Sequence, residues 1–160
     1  MAQRIYHFKG YTVVKNGVEI KLNLDRFSKQ YNEAQAKLDS MVMTDMKPFM
    51  PHQDGSFIAI TEGMSTAIVG TGKVVAAAPP MGRFLYEGKG MVDPATGSTW
   101  ARKGAKKVLV SQYKGKTNAK EKLDFSKKHN QKVTAHWFNP AKKAYGKNWI
   151  EVTKKTAGGG

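Results

Sequence analysis

The sequence predicts an α+β fold: a small antiparallel sheet, a long helix in the N-terminal half, a short central helix and a C-terminal helix, plus a long basic loop or arm. Three observations predict it. Asn16-Gly17 lies between two β-branched runs; apolar residues recur at helical spacing from Phe27 to Met46; and a lysine-rich stretch without periodicity separates that half from a second helical pattern near the end. All of it is expected to form a single α+β domain over residues 1–156, with 157–160 as a flexible tail.

Taken in order, "GYTVVKNGVEIKLNL" reads as a hairpin over 10–23, because Asn-Gly supplies the positive φ angles that a two-residue type I′ turn demands. Phe27, Tyr31, Ala34, Leu38, Met41 and Asp45 then follow a 4,3,4,3,4 spacing, widened by Val42 and Met46. This predicts a helix over about 26–46, with Asp25 as N-cap and Pro48 ending it. Its methionines are expected to fill a core. After a turn at Pro51 and Asp54-Gly55, the alternation of Phe57, Ala59 and Thr61, then Ala67 and Val69, then Lys73 and Val75, predicts two or three short antiparallel strands punctuated by Gly63, Gly70 and Gly72.

In "PPMGRFLYEGKGMV", residues 79–92, the two prolines forbid a central strand. Met81, Phe84 and Leu85 share one face of a two-turn helix that is expected to point inward, and Gly88 suits its C-cap. Residues 90–132 read as the basic loop or arm, with "KVLVSQY" able to form a short strand. The last helix is expected over about 140–154, with Asn139 as N-cap, Pro140 at the first helical position, and Ala141, Ala144, Tyr145, Trp149 and Val152 down one face.

Composition narrows the chemistry. The 160 residues include no cysteine, which excludes disulfides, thiolate metal sites and cysteine nucleophiles, and the four histidines share no helix-face spacing. No cofactor or metal is expected. "GTGK" at 70–73 invites a phosphate-loop reading, but Ala67 stands where the first glycine belongs and Val74 replaces the Ser or Thr that would hold magnesium. Carboxylates are few and scattered, so Glu62, Glu87 or Asp124 have no partner in the sequence for general acid-base work. An enzyme is not expected. Nor is a membrane protein, since "VVAAAPPM" falls far short of the ~20 apolar residues needed to cross a bilayer, and the opening segment lacks a signal-peptide core.

Charge is the strongest signal. Residues 1–100 carry 11 basic and 9 acidic side chains, whereas 101–160 carry 16 and 3, a net +13. Such a block is attracted to any polyanion, DNA or acidic protein alike. Arg102, Lys103, Lys106, Lys107, Lys114 and Lys116 are therefore the candidate contacts to DNA or an acidic partner. Arg83, Tyr86 and Lys89 on the short helix, with Trp100, Trp137 and Phe138, are the candidate partner contacts, because aromatic rings interleaved with lysines can stack and neutralise together.

Two stretches resemble a known family. In "APPMGRFLYEGKGMVDPATGSTWARKGAKKV", Ala78, Pro80, Arg83, Leu85, Tyr86, Gly88, Lys89 and then Met91, Val92, Asp93 and Pro94 fall on a pattern of the tailed-phage minor capsid proteins of the head-tail joining, or tail-completion, group. His136, Trp137, Phe138, Ala141 and Lys142 meet that family's His-Trp-Phe-Glu-x-Ala-Lys, with Trp149 also in place, and Pro51 to Gly55 resembles its Pro-x-x-x-Gly turn. Pro79-Pro80-Met81-Gly82 departs from the family's more aromatic version, and Ser56 and Phe57 stand where it has leucine and arginine. The resemblance implies a structural virion protein of the phage neck, made in the host cytoplasm. It would form a homo-oligomeric ring of six copies, or alternatively twelve, around genomic double-stranded DNA. Its neighbours would be a portal-side connector or head-closure protein and a tail terminator or tail tube protein. A small basic nucleic-acid-binding protein is the alternative that the lysine block leaves open.

Overall fold

The computed structural model describes residues 6–158; the last two positions of the expected flexible tail lie outside it. The fold is α+β. In chain order it comprises β1 (Tyr11–Lys15), β2 (Val18–Leu22), α1 (Asp25–Met46), α2 (Ser56–Thr66), α3 (Gly82–Glu87), β3 (Met91–Val92), β4 (Val108–Leu109) and α4 (Phe138–Thr156). The strands form two separate antiparallel pairs, β1 with β2 and β3 with β4. The chain divides into two compact units: one takes residues up to Asp45, Glu62–Val75 and those from Ala141 on, and the other takes Met46–Thr61 and Ala76–Pro140.

In the first unit, Asn16 and Gly17 take φ of 52° and 80°, so the chain reverses in two residues and pairs Tyr11 with Leu22 and Val13 with Ile20. Every residue of this hairpin is exposed. Helix α1 begins at Asp25, so Asp25 is not the cap; the Asn23 side-chain carbonyl accepts the Asp25 backbone N–H at 2.8 Å instead. Its inner face buries Ala34, Val42 and Met43, while Phe27 and Tyr31 stay outside, Tyr31 meeting the rings of Tyr6 and Phe8. Buried Asp39 holds the turn that follows α2, accepting from the Gly70 and Gly72 amides at 2.8 and 3.1 Å. From α4, Trp149 Nε1 donates to Asp45 at 2.6 Å.

The expected strands at 57–75 are absent. In their place stands α2, started by Asp54, whose carboxylate accepts from both the backbone N–H and the hydroxyl of Ser56. Its inward line is Ile58, Thr61 and Ser65, spaced three and four apart. Two of the three are polar, and their hydroxyls bond backbone groups of the segment that follows α2. Thr61 Oγ1 accepts from the Ala78 amide at 3.2 Å, and Ser65 Oγ accepts from the Val75 amide and donates to its carbonyl, both at 3.0 Å.

The second unit closes around Met46, Met50, Val92 and Trp137, all with no exposed surface. Trp137 donates its indole N–H to the Ala76 carbonyl at 2.9 Å and packs in T-shaped pairs with Phe57 and Tyr86, with centroids 5.9 and 4.8 Å away. Asn130 fastens the end of the basic segment by donating to the Lys47 and Met50 carbonyls. Helix α4 starts at Phe138, ahead of the expected boundary, so neither Asn139 is its cap nor Pro140 its first residue, and Ala144 faces outward rather than into the apolar stripe. Ala157 and Gly158, expected in the tail, instead close α4 by donating to the Thr153 and Lys155 carbonyls.

Candidate interaction surface around the basic loop

Helix α3 forms where it was expected, and its end sets up the surface. Gly88, with φ of 64°, turns the chain out of the helix while its amide and that of Lys89 donate to the Leu85 and Phe84 carbonyls. The segment leaving it, 88–92, is then flanked by backbone on both sides. Met91 and Val92 pair with Leu109 and Val108, and the Val110 amide donates to the Gly90 carbonyl. On the other side Lys89 bridges to Lys122, Gly90 donates to Glu121 and Leu123 donates to Gly88. Only glycine fits at position 90, since a Cβ there would sit 1.9 Å from the Lys120 carbonyl oxygen. The long loop expected at 90–132 is thus a folded element, knit by contacts that join residues far apart in sequence.

Asp93 organises the next turn. Its side chain is fully buried, one oxygen accepting from the Ala95 and Thr96 amides and the other from the Arg102 amide and Nε, both at 3.0 Å. Its backbone joins in, donating to Ser98 and accepting from Gly97. The Arg102 bonds, first through the side chain and then the backbone, hold the Asp93 carboxyl well below the usual carboxylate range. The loop so anchored carries Trp100, which is 86% exposed.

The candidate contacts fall into different settings. Arg83, Lys103, Lys106, Lys114 and Lys116 are exposed; Lys89 pairs with Glu87 at 3.9 Å, and Lys107 donates to the Thr99 carbonyl at 2.5 Å. Arg102 is a fastener of the Asp93 turn rather than a free cation. Trp137 has no surface to offer a partner, and Tyr86 is half-buried with its edge-on neighbours His136 and Trp137, so both serve packing in this chain. Burial of Tyr86, with Glu87 alongside, pushes its hydroxyl above the ordinary phenol range. Phe138 is half-buried.

Four of the expected residues, Arg83, Lys89, Lys106 and Lys107, converge on one groove of about 850 Å³. Lys116 lines a different hollow with Thr96–Thr99. The groove contains a residue that the sequence placed wrongly: Met81, expected to point inward, is 62% exposed on its wall, while Gly82 beside it is buried because its missing Cβ would collide with Ala77. Asp93 was not singled out for its own chemistry, although an Asp-Pro pair followed by Gly97 is a turn signal that could have marked it. Among the described residues no group of three or more His, Cys, Asp or Glu is placed to hold a metal ion, and no helix is long and apolar enough to cross a membrane. Comparison with known proteins finds no matching family model, no similar curated protein and no similar solved structure.

Proposed function

We propose that the chain is a structural protein of the tailed-phage neck, joining the DNA-filled head to the tail as a ring around the DNA channel. The observation that carries the reading is the state of residues 78–107, where the family resemblance is densest. This stretch is a folded platform that turns Trp100 and a set of cations outward. A ring subunit needs two different faces, one for each neighbour. The exposed apolar residues of the hairpin, Tyr11, Val13, Ile20 and Leu22, and the cation-lined groove beside α3 are surfaces of unlike chemistry, a difference that two unlike neighbours would call for. Six copies would match a six-fold tail, with twelve as the alternative beside a portal. A phage lacking the chain is expected to yield full heads and finished but unattached tails in electron micrographs; empty heads with normal attachment would contradict the proposal.

One observation favours the second reading, a nucleic-acid-binding protein: Trp100 is 86% exposed in a stretch of sequence that also carries the exposed Lys103 and Lys106, residue types suited to stacking on bases and neutralising phosphates. Under that reading the purified chain binds DNA tightly at low salt, loses affinity steeply as salt rises, and forms no ring with phage connectors.

A further inference from the structure

The groove beside α3 has two properties that a solvated lysine surface lacks. Its lining joins apolar side chains, Met81, Phe84, Met91 and Leu109, to cationic ones, Arg83, Lys89, Lys106 and Lys107. Glu87 is the single carboxylate in the lining, and it is engaged by Lys89 at 3.9 Å and faced by His136 at 3.7 Å. Arg83 and Lys106 are exposed cations in the same lining as those apolar side chains.

We infer that this groove docks an acidic, amphipathic segment of a neighbouring protein, with one or two apolar side chains against Met81, Phe84, Met91 and Leu109 and carboxylates against the cations of the same lining. Charge complementarity selects an anion, and the apolar part of the lining selects which kind. A phosphodiester backbone is hydrated and anionic throughout and gives Met81 and Phe84 nothing to bury against. A peptide carrying leucine or phenylalanine between glutamates satisfies both halves of the groove. The volume lies in the range of sites that enclose several side chains, and methionine adapts its flexible thioether to the shape presented. The exposed Met81 is then explained as a contact residue rather than a packing fault. This deepens the neck reading by giving the chemistry of the segment that a neighbouring virion protein would present, and it rests on that reading only for where the neighbour belongs.

The test uses the full chain and a panel of fluorescent twelve-residue peptides bearing two leucines four residues apart among glutamates and aspartates, read by anisotropy. Saturable binding is expected, with Kd on the order of 10 µM. Met81→Ser should weaken it about tenfold, as should the pair Arg83→Glu and Lys106→Glu, with circular dichroism unchanged because all three side chains are exposed. Peptides with serine for leucine, at equal charge, should bind at least tenfold more weakly. The inference is overturned if no peptide of the panel binds, if the serine peptides or a DNA duplex bind as tightly as the leucine peptides, or if Met81→Ser changes nothing. The two proposals fail separately: intact attachment in a phage lacking the chain removes the neck reading and leaves peptide binding standing. Failed peptide binding beside unattached tails removes only the groove.

Discussion

Replacing Trp137 separates a core residue from a contact residue. The indole has no exposed surface, packs in T-shaped pairs with two aromatic rings, and is the donor to the Ala76 carbonyl. Trp137→Phe keeps a ring but removes the donor and part of the buried area. The lost hydrogen bond costs roughly 1 kcal/mol and the lost apolar surface about another 1 kcal/mol, so a destabilisation of about 2 kcal/mol is expected. Trp137→Ala, which also leaves a cavity, should cost about 3–5 kcal/mol. A chain of this kind has roughly 5–15 kcal/mol in total, so the alanine variant approaches the limit of folding. Urea unfolding followed by circular dichroism should show the midpoint of Trp137→Phe falling by about 1 M for a slope near 2 kcal/mol/M. An unchanged midpoint together with weakened assembly would refute the reasoning, because it would make the ring a contact to a neighbour rather than part of the interior.

The Asp93 turn should resist acid. With its native pKa below the unfolded value, the carboxylate contributes stability that is fully present above the ordinary range near pH 3.9 and is lost progressively as pH falls from there to the lower native pKa. The amide resonances of Ala95, Thr96 and Arg102 should therefore hold their positions through pH 4, and Arg102→Gln should move their midpoint upward; a midpoint in the ordinary range for the unsubstituted chain would count against the arrangement. Gly90→Ala should cost about 3 kcal/mol or more by forcing apart the 88–92 and 120–123 backbones. Gly104→Ala, where φ is 80° and no atom lies within 4 Å, should cost only about 1 kcal/mol. Equal costs in thermal unfolding would contradict the packing around Gly90.

What the sequence revealed was what local chemistry controls. Asn16-Gly17, the apolar spacing of α1 and Gly88 after α3 each act within a few residues, and each element formed. Helix α2 was hidden because its inner face uses Thr61 and Ser65, which hydropathy assigns to the surface; only the long-range bonds to Ala78 and Val75 show that they belong inside. The folding of 90–132 was hidden for a related reason, since it depends on backbone pairing between Gly88–Val92 and residues 16 to 35 positions away, which leaves no periodic trace. In the candidate site, Arg83, Lys89, Lys106 and Lys107 were legible from charge alone. Met81 was not, because helical spacing gives a shared face but does not say which way that face turns.

The three indoles lie at three depths: Trp137 is enclosed, Trp149 is 5% exposed and bonded to Asp45, and Trp100 stands 86% in solvent. Iodide added to the purified chain should extinguish the emission of Trp100 and leave the other two shining. The molecule therefore carries its own optical sensor at the tip of the Asp93 turn. Any body that settles beside residues 98–107 will register as restored light, with no label attached.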